Sequence, residues 1–369
     1  MNTDLKDLHG FLNQRKSVLS AFIRVPIGDT MKIKLFAICL FALVSAAARA
    51  QDSLVSGVSR ANYPRMNGST STRLLGELLA ARALGLDAAV SRFQGDAYNP
   101  GNALRLTFSL RTSGAQIKEF FPFFYQRANH RGTPEAYDAL LQGAAELILV
   151  ARLPSPDELK AATARKISFD AQPIGRDALV ILVNHKNRVA SLKTEQVRAI
   201  YENKSKLWRE LGGADLPVLR LVRDRNSGSQ ELLESLVMKR RMASADKITR
   251  VAHGQKIVTT RGENAILVTE MGEVIERVAE RADAIAPSVW YYEKYLNHNL
   301  RVRVVPIDGI APDEKTLADG TYPLVAPIYA VTRRGLAPDS PAARVRDWLL
   351  SGTGQKLVAD AGFVRAREP

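Results

Sequence analysis

A single cysteine, Cys39, stands among the 369 residues, and it falls in a segment read below as a cleavable leader. The rest of the chain holds no thiol, which excludes a disulfide framework and thiolate chemistry and leaves stability to a packed core. Histidine is scarce as well, with five copies, and no His or Cys pair has the spacing of metal ligands. The serine-hydrolase signature Gly-x-Ser-x-Gly is missing, because Ser227-Gly228-Ser229-Gln230 lacks the second glycine. Internal repeats and low-complexity tracts are absent too, so neither a solenoid nor a disordered tail is indicated. No segment matches a nucleic-acid-binding module, and the densest basic run, Lys239-Arg240-Arg241, reads as a solvated helix end.

What is present begins with a targeting pattern. Met31 opens Met-Lys-Ile-Lys, the apolar run Leu35–Val44 follows, and Ala48-Arg49-Ala50 puts small residues before Gln51. That is a secretory signal peptide cleaved near Ala50/Gln51; its apolar run is shorter than the about 20 residues a membrane span needs. Residues 1–30 fit no targeting pattern and read as an upstream extension, so residues 1–50 are set aside from the fold. They carry seven Lys/Arg and three Asp/Glu, leaving the chain from Gln51 with a net charge of about +10. Basicity of this size favours anionic partners through long-range steering.

Helical and strand-like segments alternate from there on, the pattern of an α/β protein. Strands are expected at Arg105–Leu110, Leu147–Val150, Asp177–Val183, Leu219–Val222, Ala284–Tyr292, Val302–Ile307 and Ala326–Thr332. Helices are expected at Pro134–Gln142 with Thr133 as cap, at Leu192–Tyr201 with Thr194 as cap, at Met271–Ala282, and within Ala342–Ala361. The stretch from Ala88 to Phe124 is otherwise irregular.

Two hydroxyl-and-glycine stretches carry most of the functional signal. NGSTSTRLLGELLAARALG, Asn67–Gly85, and RDRNSGSQELLESLVM, Arg223–Met238, each lead into an apolar-periodic helix. The first turn of a helix leaves backbone N–H groups without internal partners, and the aligned peptide dipoles make that end partly positive. Serine and threonine add donors, and Arg223 or Arg225 adds a charge-assisted fork, so each stretch suits an oxyanion. The plainer readings are that Ser69–Thr72 and Thr133 are ordinary N-caps and that Arg223 is a surface arginine paired with Asp224 or Glu231.

These stretches occur in order with TPEAYDALLQGAAELILV, PIGRDALVILVNHKNRVASLKTEQVRAIYENKSKLWRELGG, DGTYPLVAPIYAVTRR and VRDWLLSGTGQKLVADAGFVRA. Taken together the chain resembles the periplasmic phosphate-binding proteins of bacterial phosphate ABC transporters, over nearly all of its length after residue 50. The resemblance implies an α/β, two-lobed periplasmic-binding-protein-like fold, each lobe a sheet flanked by helices, joined by two hinge strands. Lobe one would be 51–175 plus 287–369 and lobe two 176–286, with hinges near Arg176–Leu179 and Ala286–Trp290. It implies phosphate or a related oxyanion as ligand, an inner-membrane ABC permease as partner, a monomer, a periplasmic location, no cofactor, no metal and no catalysis.

By the same resemblance the anion would be held by Ser69, Thr70, Ser71, Thr72 and Thr133 from lobe one and by Arg223, Ser227, Gly228 and Ser229 from lobe two. One departure stands out. The family usually places an acidic residue just after the lobe-one strand, where it accepts a hydrogen bond from a protonated ligand; here Ala151-Arg152 follows Val150. An acceptor is lost there and a cation is expected in its place, giving a donor-only site, which weakens discrimination between protonated and fully ionised oxyanions. That loss keeps open a second role on the same fold, a periplasmic anion sensor or surface-associated signalling protein without a dedicated transporter. An enzyme using Ser227 or Ser229 with His185 or His253 as base is the third reading, the least supported by the motifs.

Overall fold

In a computed structural model of the chain, residues 54–93, 103–242 and 264–366 are described. The signal peptide, the start at Met31, Cys39, the Ala50/Gln51 junction and His253 all lie outside the described residues. No described helix is long and apolar enough to cross a membrane.

The chain enters at β1 (Met66–Gly68), passes through a single turn of 3-10 helix, Thr70–Thr72, and continues directly into α1 (Arg73–Ala83). A separate hairpin follows, β2 (Ala88–Phe93) antiparallel to β3 (Ala103–Phe108). Next comes α2 (Gly114–Arg127), then β4 (Ala128–Asn129), α3 (Thr133–Gln142), β5 (Leu147–Val150) and α4 (Pro156–Ala164). Within the stretch expected to be irregular, α2 is thus a fourteen-residue helix. Its apolar residues are consecutive aromatics broken by Pro122, which hides the helical period. The signal that was there is a capping box, in which the Ser113 hydroxyl accepts from the Gln116 N–H while the Gln116 side chain accepts from Ser113's.

The sixteen-residue strand β6 (Phe169–Asn184) organises the rest. After it come α5 (Thr194–Tyr201), β7 (Leu219–Arg223), α6 (Gly228–Leu232), which runs on as a π-helical turn to Met238, β8 (Ala265–Val268), α7 (Met271–Glu280) and β9 (Ala284–Val289). The chain closes with β10 (Val302–Val305), α8 (Glu314–Ala318), β11 (Val325–Arg333), α9 (Pro341–Leu350), α10 (Gly352–Asp360) and β12 (Val364–Arg365). The C-terminal stretch expected to hold one helix holds two, because the Ser351 hydroxyl accepts from the Gly354 N–H and starts a second. Thr194 is not a cap; its N–H and hydroxyl both donate to Asp308, and Lys193 holds the cap position.

The first half of β6 is antiparallel to β11, which pairs with β5; β5 is parallel to β1, and β1 to β4. After Ala178 the strand changes partner: Ala178 faces Val325 of β11, whereas Leu179 faces Val289 of β9. β9 continues into a second sheet, parallel to β7, which is parallel to β8. Two sheets flanked by helices therefore share one strand, a mixed α/β two-lobed architecture of the periplasmic-binding-protein kind. β10 pairs with Ile181–Asn184, so a strand from the stretch expected in lobe one belongs to the second sheet. At the crossover Asp177 is buried, and its Oδ1 accepts from the N–H groups of Ala178 and Tyr291. That carboxylate ties β6 to the chain leaving β9. The main core runs unbroken through both sheets, including Leu78, Leu149, Ile181, Leu221 and Ile285, while α3 packs on β5 and β11 as a smaller cluster around Tyr137.

Candidate functional site

Strand direction decides where the chemistry collects. β1 and β5 run parallel in the first sheet and β7 and β8 in the second; the residues just past their carboxyl ends, Ser69, Ala151, Asp224 and Thr269, all line one small cleft of about 120 Å³. Ligands of open α/β sheets settle at this kind of place. The volume is well below the roughly 300–1,000 Å³ of pockets for drug-sized molecules, so the cleft suits an ion of a few atoms.

Four helical N-termini point at it: the turn at Thr70 that feeds α1, the start of α3 at Gly132-Thr133, the start of α6 at Ser227-Gly228 and the start of α7 at Glu270-Met271. Each contributes unpaired N–H groups and a partial positive charge. Sequence reasoning found three of the four. It missed α7 because Thr269-Glu270-Met271 has neither glycine nor a run of hydroxyls.

On the first-sheet side the hydroxyls are not caps. Ser69 Oγ accepts from the Ala151 N–H at 3.0 Å and lies 2.6 Å from Thr133 Oγ1, all of it buried. Thr133 likewise caps nothing, since Gly132 holds the cap position of α3 without a side-chain bond. Between them the Ser69 and Thr133 hydroxyls carry two protons and use one on each other, which leaves one to donate into the cleft. Thr70 and Ser71 also line the cleft. Thr72 does not: its hydroxyl lies 2.7 Å from the Leu149 carbonyl, 3.0 Å from the Ser69 carbonyl and 3.2 Å from His130 Nδ1, turned into the core. Thr72 is thus a clamp that fixes the turn, not a wall of the cleft.

Behind the turn sits the buried imidazole of His130. Burial pushes it down to about 4, with the Arg73 charge adding to that against a hydrogen bond to the Ser69 carbonyl, so the ring is neutral at pH 7. Its close approach demands two glycines. A Cβ on Gly68 would stand 2.3 Å from His130 Nδ1 and one on Gly76 2.4 Å from Nε2.

The second-sheet side is built differently. Arg223, buried at the end of β7, donates through Nε to the Val268 carbonyl at 3.0 Å and through Nη2 to the Thr269 carbonyl at 2.8 Å, and Nη1 reaches the Met271 sulfur. These carbonyls aim the guanidinium along the cleft wall, and burial pulls its basicity below the ordinary arginine value. It is therefore not the surface arginine of the plainer reading. The hydroxyls of Ser227 and Ser229 are buried, line the cleft and have no hydrogen-bond partner among the described residues. Gly228 lies between them, bare, with Thr133 Oγ1 of the opposite wall 3.0 Å from where its Cβ would stand.

Two expectations about charge are corrected. Arg152 does not enter the cleft: it is buried in a bidentate pair with Glu158, 2.6 and 2.9 Å, and donates to the Leu153 and Asn226 carbonyls. Nor is the cleft donor-only, since Glu135, Asp224 and Glu270 line it together with Arg131. Carboxylates thus reach the cleft from elements other than β5, which a comparison confined to Ala151 could not show. Nearby Asp157 pairs with Arg241, which also reaches Glu231, and Arg240 pairs with Glu202. The basic run is accordingly engaged across the surface rather than merely solvated. His185, bonded to the Arg301 carbonyl, is not paired with either serine, and among the described residues no cluster of His, Cys, Asp and Glu could hold a metal ion.

A family model described as a PBP superfamily domain matches residues 108–352. The phosphate-binding protein PstS of Borreliella burgdorferi is 22% identical over 189 residues, 51% of this chain and 63% of that protein. The PstS of Staphylococcus saprophyticus is 24% identical over 240 residues, 63% of this chain and 69% of that one. The chain thus spans less than two thirds of the length of the Borreliella relative. Among solved structures, a substrate-binding protein of Clostridium perfringens with bound phosphate superposes with a TM-score of 0.54 at 19% identity, covering 84% of this chain and 99% of that one. An ABC-type phosphate transport receptor of Vibrio cholerae gives 0.51 at 18% identity, covering 81% and 98%.

Proposed function

The chain belongs to the PBP superfamily, and we propose that it is an exported solute-binding protein that captures inorganic phosphate or a related oxyanion between its two lobes and delivers it to an ABC permease. One observation carries the reading: the Ser227 and Ser229 hydroxyls are buried without partners, beside the buried Arg223, in a cleft sized for a small ion. Leaving buried polar groups unpaired costs about 1–3 kcal/mol each. A tetrahedral oxyanion would satisfy both at once and supply the counter-charge for the guanidinium.

The anion is held, on this reading, by Ser69, Thr70, Ser71 and Thr133 from one lobe and Arg223, Ser227, Gly228 and Ser229 from the other, with Thr72 fixing the turn. The carboxylates of Glu135, Asp224 and Glu270 are the acceptors for a ligand proton. The lobes divide near Ala178–Leu179 and Val289, with β10 assigned to the second lobe. The protein acts as a monomer, outside the cytoplasm after removal of residues 1–50, and as a binding protein rather than an enzyme, a role that the transport proteins it is similar to support. The names of the relatives, phosphate-binding proteins of transport systems, support the ligand and the partner.

Calorimetry on protein stripped of ligand by unfolding and refolding tests this. Heat of binding is expected with phosphate or arsenate, and lost in Arg223→Ala. An absence of heat with phosphate, arsenate and sulfate alike would overturn the reading. Recovery of a signalling receptor and no permease in a periplasmic pull-down would favour the sensor role instead.

A further inference from the structure

A second and larger cavity, about 480 Å³, adjoins the anion cleft, and the two share Thr70 as a wall. Its walls come from α1 (Arg73, Leu74, Glu77), the β2–β3 hairpin (Phe93, Leu104, Arg105, Leu106), Phe121 of α2 and the segment Tyr292–His298. The anion reading makes no use of this space. It lies within the usual size range of small-molecule sites, and its lining combines apolar and aromatic faces with charged and polar groups in about equal share. Phe93 is 40% exposed. Arg105 lies over that ring at 5.5 Å, and the His298 imidazole is held 2.9 Å from Glu293. Tyr292 bridges the two spaces: it lines the larger cavity, and its hydroxyl lies in the field of Arg223 and Glu270 of the smaller one.

Resting on the anion reading above, we propose that the two cavities form one composite site for a phosphomonoester, the phosphoryl group in the cleft and a compact apolar or aromatic body in the chamber beyond Thr70. The chemistry at Ala151 is compatible with this. An ester has an O–C bond where phosphate has O–H; a carboxylate at the end of β5 would face that oxygen with no proton to give, whereas the alanine methyl does not, and Glu135, Asp224 and Glu270 on the other walls remain as acceptors for the proton a phosphomonoester can keep. Arg73 is paired with Glu77 at 2.8 Å, which leaves Arg105 as the chamber's net positive charge, and the stacking faces of Phe93 and Phe121 supply contact for a flat group.

The probes are inorganic phosphate and phenyl phosphate, titrated separately into stripped wild-type protein, Leu106→Trp, which fills the chamber, and Phe121→Ala, which removes one wall. Wild type is expected to bind phenyl phosphate at least tenfold more tightly than phosphate, and to release no phenol. In both variants that preference should fall at least threefold while phosphate affinity stays within twofold, with thermal melts confirming the fold. Equal wild-type affinities, or a preference untouched by both substitutions, would overturn the composite site while leaving the oxyanion reading intact. Failure to bind either probe would remove both readings together.

Discussion

The two halves of the cleft use the same residue types to opposite effect. On the first-sheet side Ser69 is engaged with Thr133 and the Ala151 N–H, Thr72 with the Leu149 and Ser69 carbonyls, and a neutral imidazole is wedged behind them. On the second-sheet side Ser227 and Ser229 are buried with nothing to bond, and a buried guanidinium leans on carbonyls and a thioether. One half is set whether or not a ligand arrives; the other carries unspent donors and charge. The lesson is that an oxyanion site can be assembled from a rigid jaw and a costly one, with ligand affinity drawn mainly from relief of the second.

The hardest blow to that asymmetry is Arg223→Ala. A charge-assisted fork to a buried anion is worth more than any neutral donor in the cleft, so phosphate affinity is expected to fall at least 100-fold by calorimetry. Stability of the ligand-free protein should change little, because the loss of an expensively buried cation offsets the donors taken from the Val268 and Thr269 carbonyls. A large loss of stability without ligand would mean that Arg223 is structural and that the second jaw is not poised.

A matched pair of smaller changes sharpens the contrast. Ser69→Ala strips the Ala151 N–H and Thr133 of their partner, so unfolding in urea should show a loss of about 1–3 kcal/mol in the absence of ligand. Ser229→Ala removes a hydroxyl that bonds nothing, so stability should be unchanged or slightly higher while affinity falls about tenfold, or about 1.4 kcal/mol. If the two variants behave alike in the ligand-free protein, the rigid and costly halves are not distinct.

The backing of the rigid jaw can be tested from behind. Alanine is a better helix former than glycine by about 1 kcal/mol, so Gly76→Ala on an ordinary helix face would stabilise. Here its methyl meets the His130 ring, and overpacking of this kind costs about 1–3 kcal/mol. Net destabilisation on thermal melting, with weaker phosphate binding as the ring pushes on the Thr70 turn, is the expected result. A stabilised Gly76→Ala would show that His130 has room to yield.

How far the sequence announced these halves depends on the kind of signal each one used. Hydroxyls and glycines next to an apolar-periodic helix are local, and so Ser69, Thr133, Ser227 and Ser229 were found and do line the cleft. Long-range facts were invisible. That Thr72 turns inward depends on β5 lying alongside it; that Arg152 turns away depends on Glu158 and on the Asn226 carbonyl from another element. The three carboxylates in the cleft come from α3, from the loop after β7 and from α7, so no single stretch shows them together. The fold was legible for a similar reason, since continuous apolar runs such as Leu147–Val150 and Leu179–Val183 report buried strands. α2 was lost where Pro122 interrupts a block of aromatics and blurs the period.

The last expected effect concerns pH, and it sets the rigid jaw against the crossover. His130 is pushed down to about 4 by burial. Its unfolded counterpart takes up a proton near pH 6.5 while the folded ring stays neutral, so its contribution to stability is complete above about pH 6.5 and is lost as pH falls toward 4. Asp177 at the β6 crossover is pushed up to about 7, again by burial, against the pull of the Tyr291 and Ala178 N–H groups. Its folded form keeps a proton that the unfolded form has released, so its contribution is complete below about pH 4 and is lost as pH rises through 7. Between about pH 4 and 6.5 the two slopes oppose each other, and the pair together leaves stability nearly level. Asp177→Asn removes one slope and keeps an acceptor for both N–H groups. Relative to wild type, its urea midpoint should therefore climb as pH rises from 4.5 to 6.5, by up to about 1.4 kcal/mol of stability per pH unit. Profiles that run parallel would show that the hinge carboxylate is not held protonated, and that the crossover is more open to water than the cleft it serves.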